Sequence, residues 1–332
     1  MIPSCATGWR LGSVRSVEEE RFRAIFRRIH VHHPNCLADE WLTESCRFAD
    51  GQFSPRPSVW SRRNGPWQRS DVLWTGAAPG NAGGKGAGRL GAHGTRIPFG
   101  GDIAGANLEV LLSSIGLDRN RTFISASLNH LPMKGGGEPT PAELNAPVGE
   151  YPSSLHIVRD TIVATGPRLI VALGNVALRV ILAAARLEGN VGVRRTRLAS
   201  PSMRLPAQTQ LIRHGLERGQ WTPWPGQATP DPEFLAAWQG AWSDAELPAI
   251  LWLTHPSAQN MSPYAGRETV FHSRMLDALS AMRKTAREVL GWTPPRERPH
   301  PPTDGIYALA EWRELIAPRN YDLDELWRAK GV

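Results

Sequence analysis

Cysteine is nearly absent: Cys5, Cys36 and Cys46 are the only three in 332 residues, and none lies beyond residue 46. That number excludes a disulfide framework. Long apolar runs are missing too. The longest, residues 176–187, is interrupted by Arg179, which excludes a membrane-spanning helix and leaves no membrane partner to expect. The first thirty residues lack the short apolar core of a signal peptide, so the expected location is cytoplasmic, beside the nucleoid if the source is prokaryotic. Lysine is scarce, with Lys85, Lys134, Lys284 and Lys330 the only four among 38 basic residues. Acidic residues are sparse in two stretches. Residues 51–101 carry seven basic side chains against Asp71 alone, and residues 186–218 carry seven arginines against Glu188 and Glu217. Clustered positive charge of this kind suits a polyanionic partner better than the net +7 alone.

What is present is ordinary globular material, 41% hydrophobic and 21% charged, in a chain long enough for one large domain or two smaller ones. Four apolar runs, at residues 71–76, 122–128, 168–174 and 249–254, end in Gly or polar residues and read as buried strands. Helical patterns alternate with them at 104–115, around 155–162 and at 176–187. This alternation predicts a three-layer αβα sandwich around a central, mostly parallel four-stranded sheet. A long helix with Phe271, Met275, Leu279, Met282 and Ala286 at three-to-four spacing closes the unit near Trp292. The organisation expected is a helical N-terminal extension over 1–50, a catalytic domain over 51–292 with an Arg/Pro/Trp-rich insertion at 187–248, and a Pro-rich linker with an acidic helical tail over 293–332.

In an open parallel sheet, ligands bind outside the carboxyl ends of the strands. The first run ends in Gly76-Ala77-Ala78-Pro79, the second in Asn129, and the fourth in His255-Pro256-Ser257-Ala258-Gln259-Asn260; the third offers nothing chemical. Gly76, Asn129 and His255 should therefore converge on one rim. A glycine-rich stretch follows the first run and contains Gly86-Ala87-Gly88-Arg89-Leu90-Gly91, a literal dinucleotide fingerprint. It starts ten residues past the strand and ends about a dozen before the helix, so it is misplaced for binding pyrophosphate at a helix N-terminus. Lys85 is followed by Gly86 rather than by Ser or Thr, which argues against a phosphate-binding loop. A zinc site on His32, His33, Cys36 and Cys46 has poor ligand spacing, and no metal is expected.

These segments, in this order, resemble the uracil-DNA glycosylase superfamily, and most closely its family five, or type B. Gly76-Ala77-Ala78-Pro79 resembles the family's Gly-Leu-Ala-Pro, and Phe99-Gly100-Gly101-Asp102-Ile103-Ala104-Gly105 its Phe-Thr-Gly-Asp-Ser-Gly region. Asn129 followed by Pro139-Thr140-Pro141-Ala142-Glu143 resembles the second motif. The block from His255 to Asn260, with Gly266-Arg267 and the helix around Met275-Leu276-Asp277, resembles the family's His-Pro-Ser-x-x-Asn block. The resemblance spans roughly residues 71–290.

It implies a monofunctional DNA repair glycosylase that flips uracil out of DNA and hydrolyses its glycosidic bond. The partners implied are uracil-containing DNA and abasic product DNA, engaged by a monomer. Asp102 and His255 would be catalytic, with Gly76, Ala78, Phe99 and Asn129 binding uracil. Ser257, Gln259, Asn260, Met261 and Arg267 would meet DNA, joined by Arg89 from the glycine loop and by Arg194, Arg195 and Arg197 from the insertion. Ala77 stands where some families place a polar residue, and the fourth motif has no lysine for a Schiff base. Families four and five hold an iron–sulfur cluster on four cysteines. Here two of those positions, after the second-motif Asn, fall at Met133 and in the region of Ala146 and Pro147, so no cluster is expected and the chain reads as a divergent branch.

Local readings stand beside the functional ones. Asp102 could cap the helix that follows, Phe99 could be core, Asn129 and His255 could be turn residues, and the arginine-rich insertion could be a solvated face. A relative that binds damaged or abasic DNA without turnover, and a nucleotide-binding oxidoreductase, are the competing classes.

Overall fold

The computed structural model describes residues 16–31, 60–79, 98–99, 103–130, 132, 138–184, 210–212, 248–256 and 268–295. Four short runs of β-branched and large apolar residues form a parallel sheet: β1 (Val72–Gly76), β2 (Phe123–Ala126), β3 (Leu169–Leu173) and β5 (Ala249–Leu253). Every residue in them is buried, which is why the runs are continuously apolar rather than alternating. A fifth strand, β4 (Gln210–Ile212), pairs antiparallel with β5 at the edge, giving the order β2-β1-β3-β5-β4. The expected αβα sandwich with its four parallel strands is therefore the fold, with one short antiparallel strand added from within the insertion.

Register fixes which side chains share a face. Phe123, Leu73, Ile170 and Ile250 lie in one row across the strands, and Ile124, Trp74, Val171 and Leu251 in the next, on the opposite face. The first face is covered by α1 (Val17–Ile29), α4 (Ser154–Thr165) and α5 (Asn175–Ala184), the second by α2 (Ile103–Ser113) and α6 (Glu268–Thr285). A short α3 (Pro141–Asn145) lies between β2 and α4. The helix α1 starts at a Ser16 cap and buries Phe22, Ile25, Phe26 and Ile29 at helical spacing. Phe22 packs 5.4 Å from the ring of Phe123 and 6.3 Å from that of Trp60, so this helix is built onto the sheet.

The chain leaves β1 through α2 to reach β2 on one side, then returns through α4 to place β3 on the other side of β1. This reversal of direction makes the carboxyl ends of β1 and β3 the switch point where a crevice opens. The last helix runs into a π turn, Ala286–Leu290, and stops at Gly291 in the left-handed region. Arg283 donates to the carbonyls of Ser114 and Pro295, joining this end to the end of α2. Among the described residues no helix is long and apolar enough to cross a membrane. The linker after residue 295 and the acidic tail lie outside the described residues.

Candidate active site

Four strand ends and one turn lie at the carboxyl rim. Beyond β1 the backbone is tied to that beyond β2: the Ser127 N–H and hydroxyl both donate to the Gly76 carbonyl at 2.8 Å, and the Leu128 N–H donates to the Ala77 carbonyl at 3.0 Å. Asn129 follows immediately and is almost wholly buried. Among the described residues neither its amide nitrogen nor its amide oxygen has a hydrogen-bond partner. A buried donor and acceptor left open in this way cost about 1–3 kcal/mol, so the position is one where a ligand with a complementary polar edge would be favoured.

Phe99 lies over the end of β1. A Cβ on Gly76 would sit 2.6 Å from the Phe99 ring Cζ, so glycine is needed here for close approach rather than for backbone freedom. Phe99 adopts φ 54°, the sole described non-glycine residue with positive φ, and for a bulky side chain that conformation is strained. Its ring centroid lies 5.6 Å from that of His255 at 34°. His255 also rests on β3's end, its Cβ 3.3 Å from where a Cβ on Gly174 would be; Gly174 has φ 89°. His255 is half-buried, and the protein around it pushes its pKa down to about 4 by excluding water, so at neutral pH it is uncharged. Ala78 is half-buried on the loop beyond Ala77.

Two anchors on α2 hold these parts. Asn107, buried, donates its amide to the Pro256 carbonyl at 2.9 Å and so fixes the turn after His255. Glu109, also buried, pairs with Arg119, whose guanidinium donates to the Pro98 carbonyl at 2.7 Å and the Phe99 carbonyl at 3.1 Å. Neither anchor stood out in the sequence, although an acid within the otherwise buried run 108–112 was a usable signal. The end of β3 also carries more than its sequence suggested. Besides Gly174 it supplies Asn175, whose amide oxygen is buried without a partner among the described residues.

Phe99 thus touches both Gly76 and His255, and Asn129 is tied to the same rim through the loops after β1 and β2. Asp102, Ser257, Gln259, Asn260, Met261, Arg267, Arg89, Arg194, Arg195 and Arg197 lie outside the described residues, as do His32, His33, Cys36 and Cys46. Residues 64–279, which include the whole rim, match the family model of the uracil DNA glycosylase superfamily. The chain belongs to this superfamily. No curated protein matches it. Membership in the uracil DNA glycosylase superfamily points to glycosylase-type chemistry on DNA. The sequence has three cysteines, one short of a four-thiolate donor set, and α3 is capped reciprocally by Thr140 and Glu143 and followed by Ala146 and Pro147.

Proposed function

We propose that the protein is a monofunctional uracil-DNA glycosylase, a divergent relative of family five that works as a monomer without an iron–sulfur cluster. The observation that carries this reading is the buried Asn129 amide with both ends open. Uracil within a duplex must be flipped out before its edge can be read. An amide then offers a donor to uracil O4 and an acceptor to N3–H, whereas cytosine presents the opposite pattern at those atoms. Phe99, seated on Gly76, supplies the face on which the base stacks.

Cleavage breaks the bond between C1′ and N1, and the electron pair goes to the base as a uracil anion with charge on O2. The sugar becomes cation-like and takes the oxygen of a water molecule, which loses a proton. A neutral His255, its charge suppressed by burial, would donate its ring N–H to O2 and stabilise the anion as it forms. Asp102 would orient the water or stabilise the cationic sugar, since Ala77 has no polar atom for that purpose. With no lysine in the fourth motif, the reaction ends at an abasic site. Phosphate contacts from the arginine-rich insertion, and a wedge formed by Gln259, Asn260 and Met261, would hold the duplex.

The test is a single-turnover incubation of enzyme in excess with a duplex carrying one uracil. Free uracil and an alkali-labile strand are expected. Tight binding of abasic duplex with no uracil released would assign the protein instead to the non-catalytic, lesion-binding class.

A further inference from the structure

The ring of Phe99 meets His255 while its own backbone is held in a conformation that phenylalanine avoids. Twenty residues away, one guanidinium donates to two consecutive carbonyls of the turn while its Nε is held by Glu109. The planar fork of arginine suits this task, because its donors diverge in fixed directions and one side chain can satisfy three acceptors. The Arg119 side chain is 15% exposed and that of Glu109 7%, so the clamp is shielded from water and salt. The same helix that carries Glu109 carries Asn107, which grips the carbonyl after His255. One rigid element therefore fixes both partners of the Phe99–His255 contact.

We infer that Arg119, held by Glu109, is a positioning residue that sets the stacking ring of Phe99 against His255 before any base arrives, making the pocket preformed rather than closed by the ligand. This rests on the glycosylase reading for its consequence in catalysis, but not for the geometry itself. Preorganisation of this kind acts on the chemical step: a displacement of about 1 Å at a site can slow a reaction on the order of a hundredfold.

The test removes the clamp without leaving a buried charge. Replacing a buried ion pair with apolar side chains of similar volume is often neutral for stability, so Glu109→Leu/Arg119→Met should fold. Its expected behaviour is an unchanged melting temperature, a single-turnover uracil release rate lower on the order of a hundredfold, and unchanged affinity for abasic duplex. An NMR titration of the His255 imidazole provides a readout that needs no substrate. With Phe99 released and water admitted, the titration should move up from about 4 toward the ordinary histidine value. Glu109→Gln, whose amide oxygen still accepts from the guanidinium, should behave like the parent in both measurements. If the double variant folds and keeps the parent's His255 titration, the inference is overturned. If its melting temperature falls with no change in that titration, Arg119 is merely structural and the inference is equally overturned. Should the double variant not fold, the same titration is applied to Arg119→Gln, where an upward shift supports the inference and an unchanged value overturns it. A parent protein that releases no uracil would sink the glycosylase reading alone, because the titration still decides the role of Arg119.

Discussion

The Phe99 ring lies so close over Gly76 that a single methyl group there would sit 2.6 Å from ring Cζ and 2.8 Å from Cε2. That contact joins the end of β1 to the residue that in turn faces His255. Gly76→Ala should therefore displace the ring rather than merely fill space. Overpacking of this kind costs about 1–3 kcal/mol. The variant should lose stability by that order in urea unfolding and lose uracil release by more than the stability change accounts for. A variant with parental release kinetics would mean that the ring's seat on β1 is not needed for the base.

Asn129 offers a trade between stability and activity. Its two amide atoms are buried without partners among the described residues, and each unsatisfied buried polar group costs about 1–3 kcal/mol. Asn129→Leu keeps the branching and heavy-atom count of the side chain and removes both polar groups, so thermal unfolding should shift upward while uracil excision is lost. A fall in stability would show that the amide is bonded within the folded protein and is not held open for a ligand.

His255 gives the pH dependence. Burial keeps its folded-state pKa at about 4, whereas in the unfolded chain it titrates near the ordinary histidine value of 6.5. Between those values the unfolded chain binds the extra proton, so the stability contributed by a neutral buried imidazole is fully present above about pH 6.5 and is lost as pH falls toward 4. Urea unfolding at a series of pH values should show this loss in the parent and a shallower one in His255→Gln. In catalysis, His255→Ala should slow single-turnover release by about a hundred- to a thousandfold, the usual effect of deleting one oxyanion donor.

The sheet was legible because its four parallel strands are buried on both faces, and such strands read as unbroken apolar runs bounded by Gly and polar residues. Their predicted ends are within two residues of the observed ones. The edge strand β4 was not legible: three residues, Gln210–Ile212, are too few to show a period. Within the site, Gly76, Asn129 and His255 could be placed on one rim from strand direction alone. Arg119 could not, because it acts on backbone carbonyls twenty residues away, and a carbonyl leaves no mark in a sequence. Nor could the strained backbone of Phe99, which runs against the local preference of its residue type and exists because tertiary contacts impose it.

The arginine-rich stretch allows a separate thermodynamic test. If Arg194, Arg195 and Arg197 neutralise phosphates, each lost contact should flatten the log–log salt dependence of duplex affinity by about 0.9. Titrations of abasic product duplex at several salt concentrations with all three changed to Ala measure this slope directly. Single-turnover cleavage at saturating enzyme should be retained. An unaltered slope would mark the stretch as a solvated face.

The most direct measurement is a crystal structure of the protein with a duplex carrying one 2′-fluoro-deoxyuridine, whose electron-withdrawing substituent disfavours the cationic sugar and so slows cleavage. The uracil should be found flipped from the stack with its ring against Phe99, O4 and N3 at hydrogen-bonding distance from the Asn129 amide, and O2 facing His255. A uracil that stays in the duplex, or one that enters the protein while both ends of the Asn129 amide remain unpaired, would contradict the proposed reading of this site.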